Sequence, residues 1–262
     1  MPAIQLDRLE KQIAALRDAL EEPHSLVRQL RELFAFYSDP ARRAGQSGMP
    51  APLLSAYHTP PQVVRMVTRR LSAWVQEAPA AGLALSAALW ETANLECRRV
   101  AAGVLGSLPL RAEEAVLQRL ETWLEETPEV AFRSEVVALA TRRLRTDDPQ
   151  AFALWVEEGL HAKDAQTRLT ALQAVRHWLD DPDFDNLPLV FRWLRLLSGS
   201  LPSNLRPEFT ETLQILAQRS PQETAYFLRS LVQAHNTSRM RLLVQRVLPS
   251  LPDAWRGEVF SA

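Results

Sequence analysis

The residue types that carry most catalytic and metal-binding chemistry are few in this chain of 262 residues. None of the usual patterns for phosphate-binding loops, nucleophilic serines or metal-binding helices occurs. Asp181, Asp183 and Asp185 alternate as in a calcium loop, but Asn186 and Arg192 stand where such a loop needs glycine and glutamate. We interpret these aspartates as turn and helix-capping residues. No two of the five histidines lie at ligand spacing, so the sequence predicts neither a metal nor another cofactor.

The single cysteine, Cys97, is flanked by Glu96 and Arg98 and has no histidine near it in sequence to act as a base. It is predicted to be a buried structural residue. One cysteine cannot form an internal disulfide, which favours a reducing compartment. The N-terminus lacks the apolar stretch of a secretory signal, and the longest nearly apolar run is about half the length needed to span a bilayer. We therefore expect a cytoplasmic protein with no membrane partner.

The elements that must position any site are predicted to be helices. Hydrophobic residues make up 47% of the chain and charged residues 23%, a balance typical of a folded protein with a sizeable core. Glycine is scarce and Leu and Ala dominate the apolar residues, whereas sheet proteins are rich in turn glycines and β-branched residues. The 30 basic and 31 acidic residues nearly cancel, which gives no support for nucleic-acid binding over the whole surface.

The first 38 residues are predicted to form an N-terminal helical hairpin. Apolar residues recur every three or four positions from Leu6 to Leu20, a spacing typical of an amphipathic helix, and Pro23 is expected to end this helix. Ser25 is expected to cap the second helix. Residues 39–58 follow as the longest loop of the chain, rich in Pro, Gly and Ser, and are a candidate functional or mobile segment.

From residue 59 onward the helix-start signals recur with a period of about 35 residues. Side chains that can cap a helix, or prolines suited to its first turn, mark a first series of starts. A second series of starts lies between them. The first series is Thr59-Pro60, Asn94, Thr127-Pro128, Asp164, Pro202-Ser203 and Thr237; the second lies near Pro79, Arg111, Asp148-Pro149, Asn186, Pro221 and Asp253. This pattern predicts an all-α fold: an α-solenoid superhelix of about six HEAT-like two-helix repeats over residues 59–262. With its hairpin cap, the chain is expected to be a single domain, 1–262.

Charge separates the two helix series. Our predicted helices of the first series sum to about +10 and those of the second to about −6. In a solenoid each series forms one layer, so one surface would be basic and the other acidic. A basic concave layer would suit phosphate groups, although an ordinary charge difference or an acidic protein partner would explain the same pattern. The phase of the repeat, and so the series that lines the concave face, stays open.

Two stretches resemble a known family. Leu89-Trp90-Glu91, followed by Leu95 to Ala102, is similar to the "LW…E-x-R-x-x-A" segment of the HEAT-like-repeat DNA alkylation repair proteins, the bacterial alkylpurine-DNA glycosylases. Residues 216–221 and 226–228 resemble that family's helix end and its "P-x-x-x-x-x-F-L" pattern. The resemblance covers most of residues 59–235. It implies a superhelix with a basic concave cleft that holds DNA and exposes a damaged base to aromatic side chains and a carboxylate.

The sequence departs from this family at its functional motifs. Phe132 to Val137 replace a tryptophan-aspartate pair, and Gln166 to Ala171 retain only Arg168 of a "W-x-R-R-x-A" motif. In the third motif, Glu211 stands at a tryptophan position and Gln214 at an arginine position. Base excision needs a carboxylate near the sugar, and a shift in register would let Glu135 or Glu211 supply it. These two residues are the candidate catalytic residues.

Three functions remain as hypotheses. The first is a non-catalytic binding module whose curved surface engages a macromolecule, either a protein or double-stranded DNA. The second is a DNA-binding relative of the repair enzymes, and the third is a glycosylase with displaced catalytic residues. The sequence does not indicate the oligomeric state. The arginines expected to contact phosphates in the second case are Arg69, Arg98, Arg142, Arg168, Arg239 and Arg241.

Overall fold

The computed structural model describes residues 5–38, 54–109, 113–235 and 237–260. These residues form α-helices with a few 3-10 turns, and no strand occurs among them apart from an isolated bridge between Ser55 and Asn94. The all-α prediction is therefore confirmed, and the helix arrangement is consistent with an α-solenoid. In the described parts, no helix is both long and apolar enough to cross a membrane. Most of the predicted loop, residues 39–53, lies outside the described residues.

Contacts divide the chain into two compact units, residues 1–149 and 150–262. The helices of the first unit are α1 (Leu6–Ala14), α2 (Pro23–Phe36), α3 (Pro61–Val75), α4 (Pro79–Glu91), α5 (Leu95–Leu105), α6 (Glu113–Glu125), α7 (Val130–Ala140) and α8 (Arg142–Asp147). Those of the second unit are α9 (Pro149–His161), α10 (Ala165–Leu179), α11 (Leu187–Ser198), α12 (Arg206–Arg219), α13 (Pro221–Ala234), α14 (Ser238–Val247) and α15 (Asp253–Arg256). The first residue of α9, Pro149, is counted with the first unit. The assignment of the whole chain to one domain stays a prediction.

Local capping chemistry explains where several helices begin. The side chain of Asn94 accepts a hydrogen bond from the backbone N–H of Cys97 at the start of α5. Asp164 and Thr237 cap α10 and α14 in the same way. Prolines occupy the first turn of α3, α4 and α13, where their missing N–H costs nothing. These starts agree with the predicted ones, whereas the start predicted near Arg111 lies outside the described residues.

Three local predictions were wrong. The second helix begins at Pro23 rather than after a Ser25 cap, because proline fits the first position of a helix as well as the end of one. The helix predicted after Pro202-Ser203 begins only at Arg206. The helix expected from Pro128 onward breaks at Thr141 into α7 and α8. At this break the backbone N–H of Arg143 donates to the carbonyl of Gly106, the residue that follows α5 (3.2 Å), so a tertiary contact accompanies the interruption of the helix.

Helices of the same series lie side by side within each unit. In the first unit α5 packs between α3 and α7, and in the second unit α12 packs between α10 and α14. We call these six helices the first helix series; α4, α6, α9, α11, α13 and α15 are the second. α5 and α7 run parallel, since Arg99 contacts Glu135 while Gly106, just after the end of α5, approaches Leu139 and Ala140. The number of repeats and their HEAT-like character stay predictions.

Candidate nucleic-acid interface

The charge difference between the two helix series holds on the observed helices. α3 and α14 each carry three arginines and no acidic residue. By contrast, α6 carries four glutamates and one arginine, and α9 carries two glutamates with no lysine or arginine. The most basic helices therefore belong to the first series, and they occur in both units. Helices with this charge attract phosphate groups.

Arg69 lies on the solvent-facing side of α3, one turn from Arg65, and both side chains are exposed. The opposite side of α3 is buried through Val63, Val67 and Leu71. Neither arginine forms an ion pair within the described residues. Both guanidinium groups are therefore available to a ligand.

Arg239 and Arg241 are exposed on α14, next to Leu242, which is 59% exposed. Met240 and Val244 bury the other side of this helix. Arg142, the first residue of α8, is also exposed. As in α3, the guanidinium groups of these three arginines have no acidic partner in the described part of the chain. Their role in binding nucleic acid stays a prediction.

Arg98 has a different environment from these exposed arginines. Its side chain is half-buried, Nε donates to the carbonyl of Trp90 (3.1 Å), and its guanidinium carbon lies 4.5 Å from the centroid of the Trp90 ring. Burial lowers the pKa of Arg98, and the negative charge of Glu126 partly opposes this shift. Arg98 thus serves as a packing partner of Trp90 in this structure.

Trp90 is itself a core residue. It is 3% exposed and stacks on Trp123, with ring centroids 4.2 Å apart and an angle of 3° between the ring planes. Its indole N–H donates to Glu126 (2.7 Å). Arg98 and Trp123 therefore enclose the Trp90 ring, which leaves no open face for stacking a base. None of the chain's seven tryptophans, all within the described residues, is exposed; Trp74, Trp155 and Trp255 are half-buried and Trp90, Trp123, Trp178 and Trp193 are buried.

Arg168 lies in the first turn of α10, close to the capping residue Asp164, and is half-buried. Its Nε atom is buried and has no hydrogen-bond partner among the described residues. The guanidinium is thus partly withdrawn from solvent, which distinguishes Arg168 from the arginines on α3 and α14.

The first candidate carboxylate, Glu135 on α7, forms a two-pronged ion pair with Arg99 on α5. Nε of Arg99 donates to Oε1 of Glu135 (2.7 Å), and Nη2 donates to Oε2 (3.0 Å). The two side chains are 38% and 37% exposed. Both oxygens of Glu135 are therefore engaged, although the pair itself is open to solvent.

The second candidate carboxylate, Glu211 on α12, is exposed and lies 3.8 Å from Nε of Arg176 on α10. That same nitrogen donates to the buried carboxylate of Glu208, one turn away on α12. Burial raises the pKa of Glu208, and the hydrogen bond from Arg176 opposes this shift. Arg176 thus lies between two carboxylates, and the structure places Glu211 in a different unit from Glu135.

Sequence reasoning overlooked Arg65, Arg99 and the role of Glu96. Glu96 is 2% exposed and accepts hydrogen bonds from the backbone N–H groups of Tyr57 and Thr59, each at 3.1 Å. Arg99 was not singled out, although it lies 36 residues before Glu135, which is one period of the repeat. That offset was the signal available in the sequence.

The other chemistry-bearing residues form no further cluster. Cys97 is buried, and burial raises the pKa of its thiol to about 11. This agrees with its prediction as a structural cysteine. Within the described ranges, no group of three or more His, Cys, Asp or Glu side chains is placed to hold a metal ion.

Comparisons with known proteins place the chain in a family. Searches of the curated proteins and of the solved structures each found no match. The family model described as "DNA alkylation repair enzyme" matches residues 31–246, which is most of the chain and includes all of α3 to α13. The resemblance inferred from Trp90 and its neighbours is therefore confirmed. The chain belongs to the DNA alkylation repair enzyme family.

Proposed function

We propose that the protein is a non-catalytic DNA-binding member of this family, which holds double-stranded DNA through arginine–phosphate contacts on the first helix series. The observation that carries the proposal is the exposure of Arg65 and Arg69 on α3 and of Arg239 and Arg241 on α14. Both helices lack acidic residues. Arginine suits this role because its planar fork matches the oxygens of a phosphate.

The environments of the candidate carboxylates favour binding over base excision. Excision of an alkylated base needs a carboxylate near the sugar and a surface on which the base can rest. Both oxygens of Glu135 accept hydrogen bonds from Arg99, and Glu211 lies next to Arg176. The ring of Trp90, in the stretch that resembles the family, is enclosed by Trp123 and Arg98. We therefore assign Glu135 and Glu211 to ion pairing rather than to catalysis.

The proposed architecture is a HEAT-like array of about six two-helix repeats that follow the N-terminal hairpin. Its support is the recurrence of capped helix starts at Asn94, Asp164 and Thr237, together with the side-by-side packing of first-series helices within each unit. Stacked repeats provide the long contact face that a polymer such as DNA requires.

The direct test is a fluorescence-anisotropy titration of an end-labelled duplex at several salt concentrations. A protein that neutralises several phosphates loses affinity steeply with salt, with a slope of log affinity against log salt of about −0.9 per phosphate. We expect Arg65→Ala/Arg69→Ala and Arg239→Ala/Arg241→Ala each to reduce the magnitude of this slope by about 1.8. Arg119→Ala is the matched control, since it removes an exposed arginine from the acidic helix α6, and it should leave the slope unchanged.

Wild-type protein that fails to bind duplex DNA at low salt would contradict the proposal and leave a protein partner as the explanation of the basic surface. Catalysis is tested separately by incubating the protein with alkylated duplex DNA. We expect no release of free base. Release that disappears in Glu135→Gln or Glu211→Gln would show that the carboxylate is catalytic after all.

A further inference from the structure

We infer that Arg99 is a phosphate-binding residue held in place by Glu135, and that Arg99, Arg65 and Arg69 together form a site for the phosphodiester backbone of DNA. The inference deepens the proposed function and rests on it. It assigns Glu135 a positioning role, in which the carboxylate acts on DNA only through the arginine that it orients.

The first support is the geometry of the ion pair. Glu135 binds only one edge of the guanidinium, the edge formed by Nε and Nη2. A guanidinium has five N–H donors, so the edge formed by Nη1 and the second Nη2 proton stays open. Nη1 has no partner within the described residues, and 38% of the Arg99 side chain is exposed. The open edge has the two-pronged geometry that matches a phosphate.

The second support is the register between α3 and α5, which places Arg65 at the level of Arg99. Near their starts, the backbone of Thr59 contacts Glu96. Further along, the hydroxyl of Ser72 donates to the carbonyl of Gly103 (3.4 Å). The two helices therefore run parallel. Arg99 lies between Glu96 and Gly103, so the matching part of α3 contains Arg65, and Arg69 follows one turn later.

Small residues separate these arginines. Thr68 and Ser72 on α3 contact Gly103 on α5, and a Cβ atom added at Gly103 would lie only 2.3 Å from Cγ2 of Thr68. On a helix, Arg65 and Arg69 lie on the same stripe as Thr68 and Ser72. Thr68, Ser72 and Gly103 are small and half-buried, so these three residues present little bulk to an approaching phosphate backbone.

The third support is the local charge balance. The acidic residues of α3, α5 and α7 are Glu96, which is buried, and Glu135, which is paired. Arg70 on α3 pairs with Glu10 on α1 at 3.5 Å. Arg65 and Arg69 have no acidic partner among the described residues, so their charges oppose the repulsion between Glu135 and a bound phosphate. Glu135 in return fixes the Arg99 side chain before DNA arrives and lowers the entropy cost of binding.

The test is a double-mutant cycle on the affinity for an end-labelled duplex, with Arg99→Ala and Glu135→Gln alone and combined. Removing an acidic charge near DNA should tighten binding by electrostatics alone. If Glu135 positions Arg99, Glu135→Gln instead weakens binding about 3-fold when Arg99 is present and tightens it about 2-fold in the Arg99→Ala background. The matched control is Glu10→Gln, which removes the same charge from a more exposed, single-contact pair and should tighten binding in both backgrounds.

Arg99→Lys provides a second measurement, because lysine keeps the charge but loses the planar fork. We expect affinity to fall about 5-fold with an unchanged salt slope, whereas Arg99→Ala also reduces the magnitude of the slope by about 0.9. If Glu135→Gln changes DNA affinity by the same factor with and without Arg99, or changes it in neither case, the inference is wrong. The proposed DNA-binding function would not be affected by that result. Absence of salt-dependent binding by the wild-type protein would instead refute the proposed function.

Discussion

The buried carboxylate of Glu96 should be among the most important polar groups for the stability of the first unit. Glu96 lies in the first turn of α5 and accepts hydrogen bonds from the backbone N–H groups of Tyr57 and Thr59. Those residues belong to the segment that leads into α3, and the hydroxyl of Thr59 in turn donates to the carbonyl of Phe34 on α2 (3.1 Å). One side chain thus holds the start of α3 against α5.

The size of the effect follows from these two hydrogen bonds. A hydrogen bond to a charged group contributes about 1.5 to 3 kcal/mol, and a buried N–H left without a partner costs about 1 to 3 kcal/mol. Glu96→Gln has nearly the same shape and keeps one acceptor oxygen, but its amide NH₂ faces the second N–H. We therefore expect Glu96→Gln to lower the free energy of unfolding by about 2 kcal/mol and Glu96→Ala, which orphans both N–H groups, by about 4 kcal/mol.

Urea denaturation followed by circular dichroism measures the overall loss, and hydrogen exchange detected by mass spectrometry localises it. The peptide that covers residues 54–60 should exchange faster in Glu96→Gln, because one of the two amides that Glu96 binds loses its acceptor. Glu91→Gln is the control: this glutamate is exposed at the end of α4, and its loss should change stability by less than about 0.5 kcal/mol. If Glu96→Gln is as stable as wild type and exchanges at the same rate over residues 54–60, the reasoning is wrong.

Three further predictions follow from the described contacts. Because burial raises the pKa of the Cys97 thiol to about 11, the native protein should not react with a thiol-specific disulfide reagent at pH 8, whereas the urea-unfolded chain should react with one equivalent. Gly103→Ala should cost about 1 to 3 kcal/mol because its Cβ would contact Cγ2 of Thr68, and thermal unfolding should show partial recovery in Gly103→Ala/Thr68→Ser, which lacks that methyl group. Burial raises the pKa of Glu208 above its ordinary value of 4.5, so its contribution to stability is present below that pH and is lost as the pH rises through the folded-state pKa. The free energy of unfolding of Glu208→Gln, relative to that of the wild type, should therefore increase as the pH rises above about 4.5. If urea denaturation shows that this difference stays constant or falls with pH, the pKa of Glu208 is not raised.

Helix starts could be predicted from the sequence where the signal is local. Asn94, Asp164 and Thr237 each satisfy a backbone N–H within their own first turn, so no knowledge of the tertiary structure is required. The break at Thr141 could not be predicted in this way. The carbonyl that accepts from Arg143 at this break is that of Gly106, which follows α5 and lies far from Arg143 in sequence.

The structure divides the predicted arginines into exposed and partly buried ones, a division that could not be predicted from the sequence. Arg69, Arg142, Arg239 and Arg241 are exposed, whereas Arg98 packs on Trp90 and the Nε atom of Arg168 is buried. Net charge per helix counts all arginines equally, although only those that reach solvent can meet a phosphate. The charge sums therefore predicted which helices are basic, but not which of their arginines are available to DNA.

The role of a carboxylate on the first helix series depends on the residue that lies about one repeat period away in sequence, on the neighbouring helix. Parallel neighbouring helices bring together residues separated by about one period, as Arg99 and Glu135 (36 residues apart) and Arg176 and Glu208 (32 apart) show. In these two cases the glutamate is held by the arginine as an ion pair, and at least one of its oxygens already accepts a hydrogen bond. A catalytic carboxylate needs at least one oxygen directed at the reacting atoms. By this reasoning Glu135 could have been recognised as a pairing residue from the sequence, since Arg99 precedes it by one period.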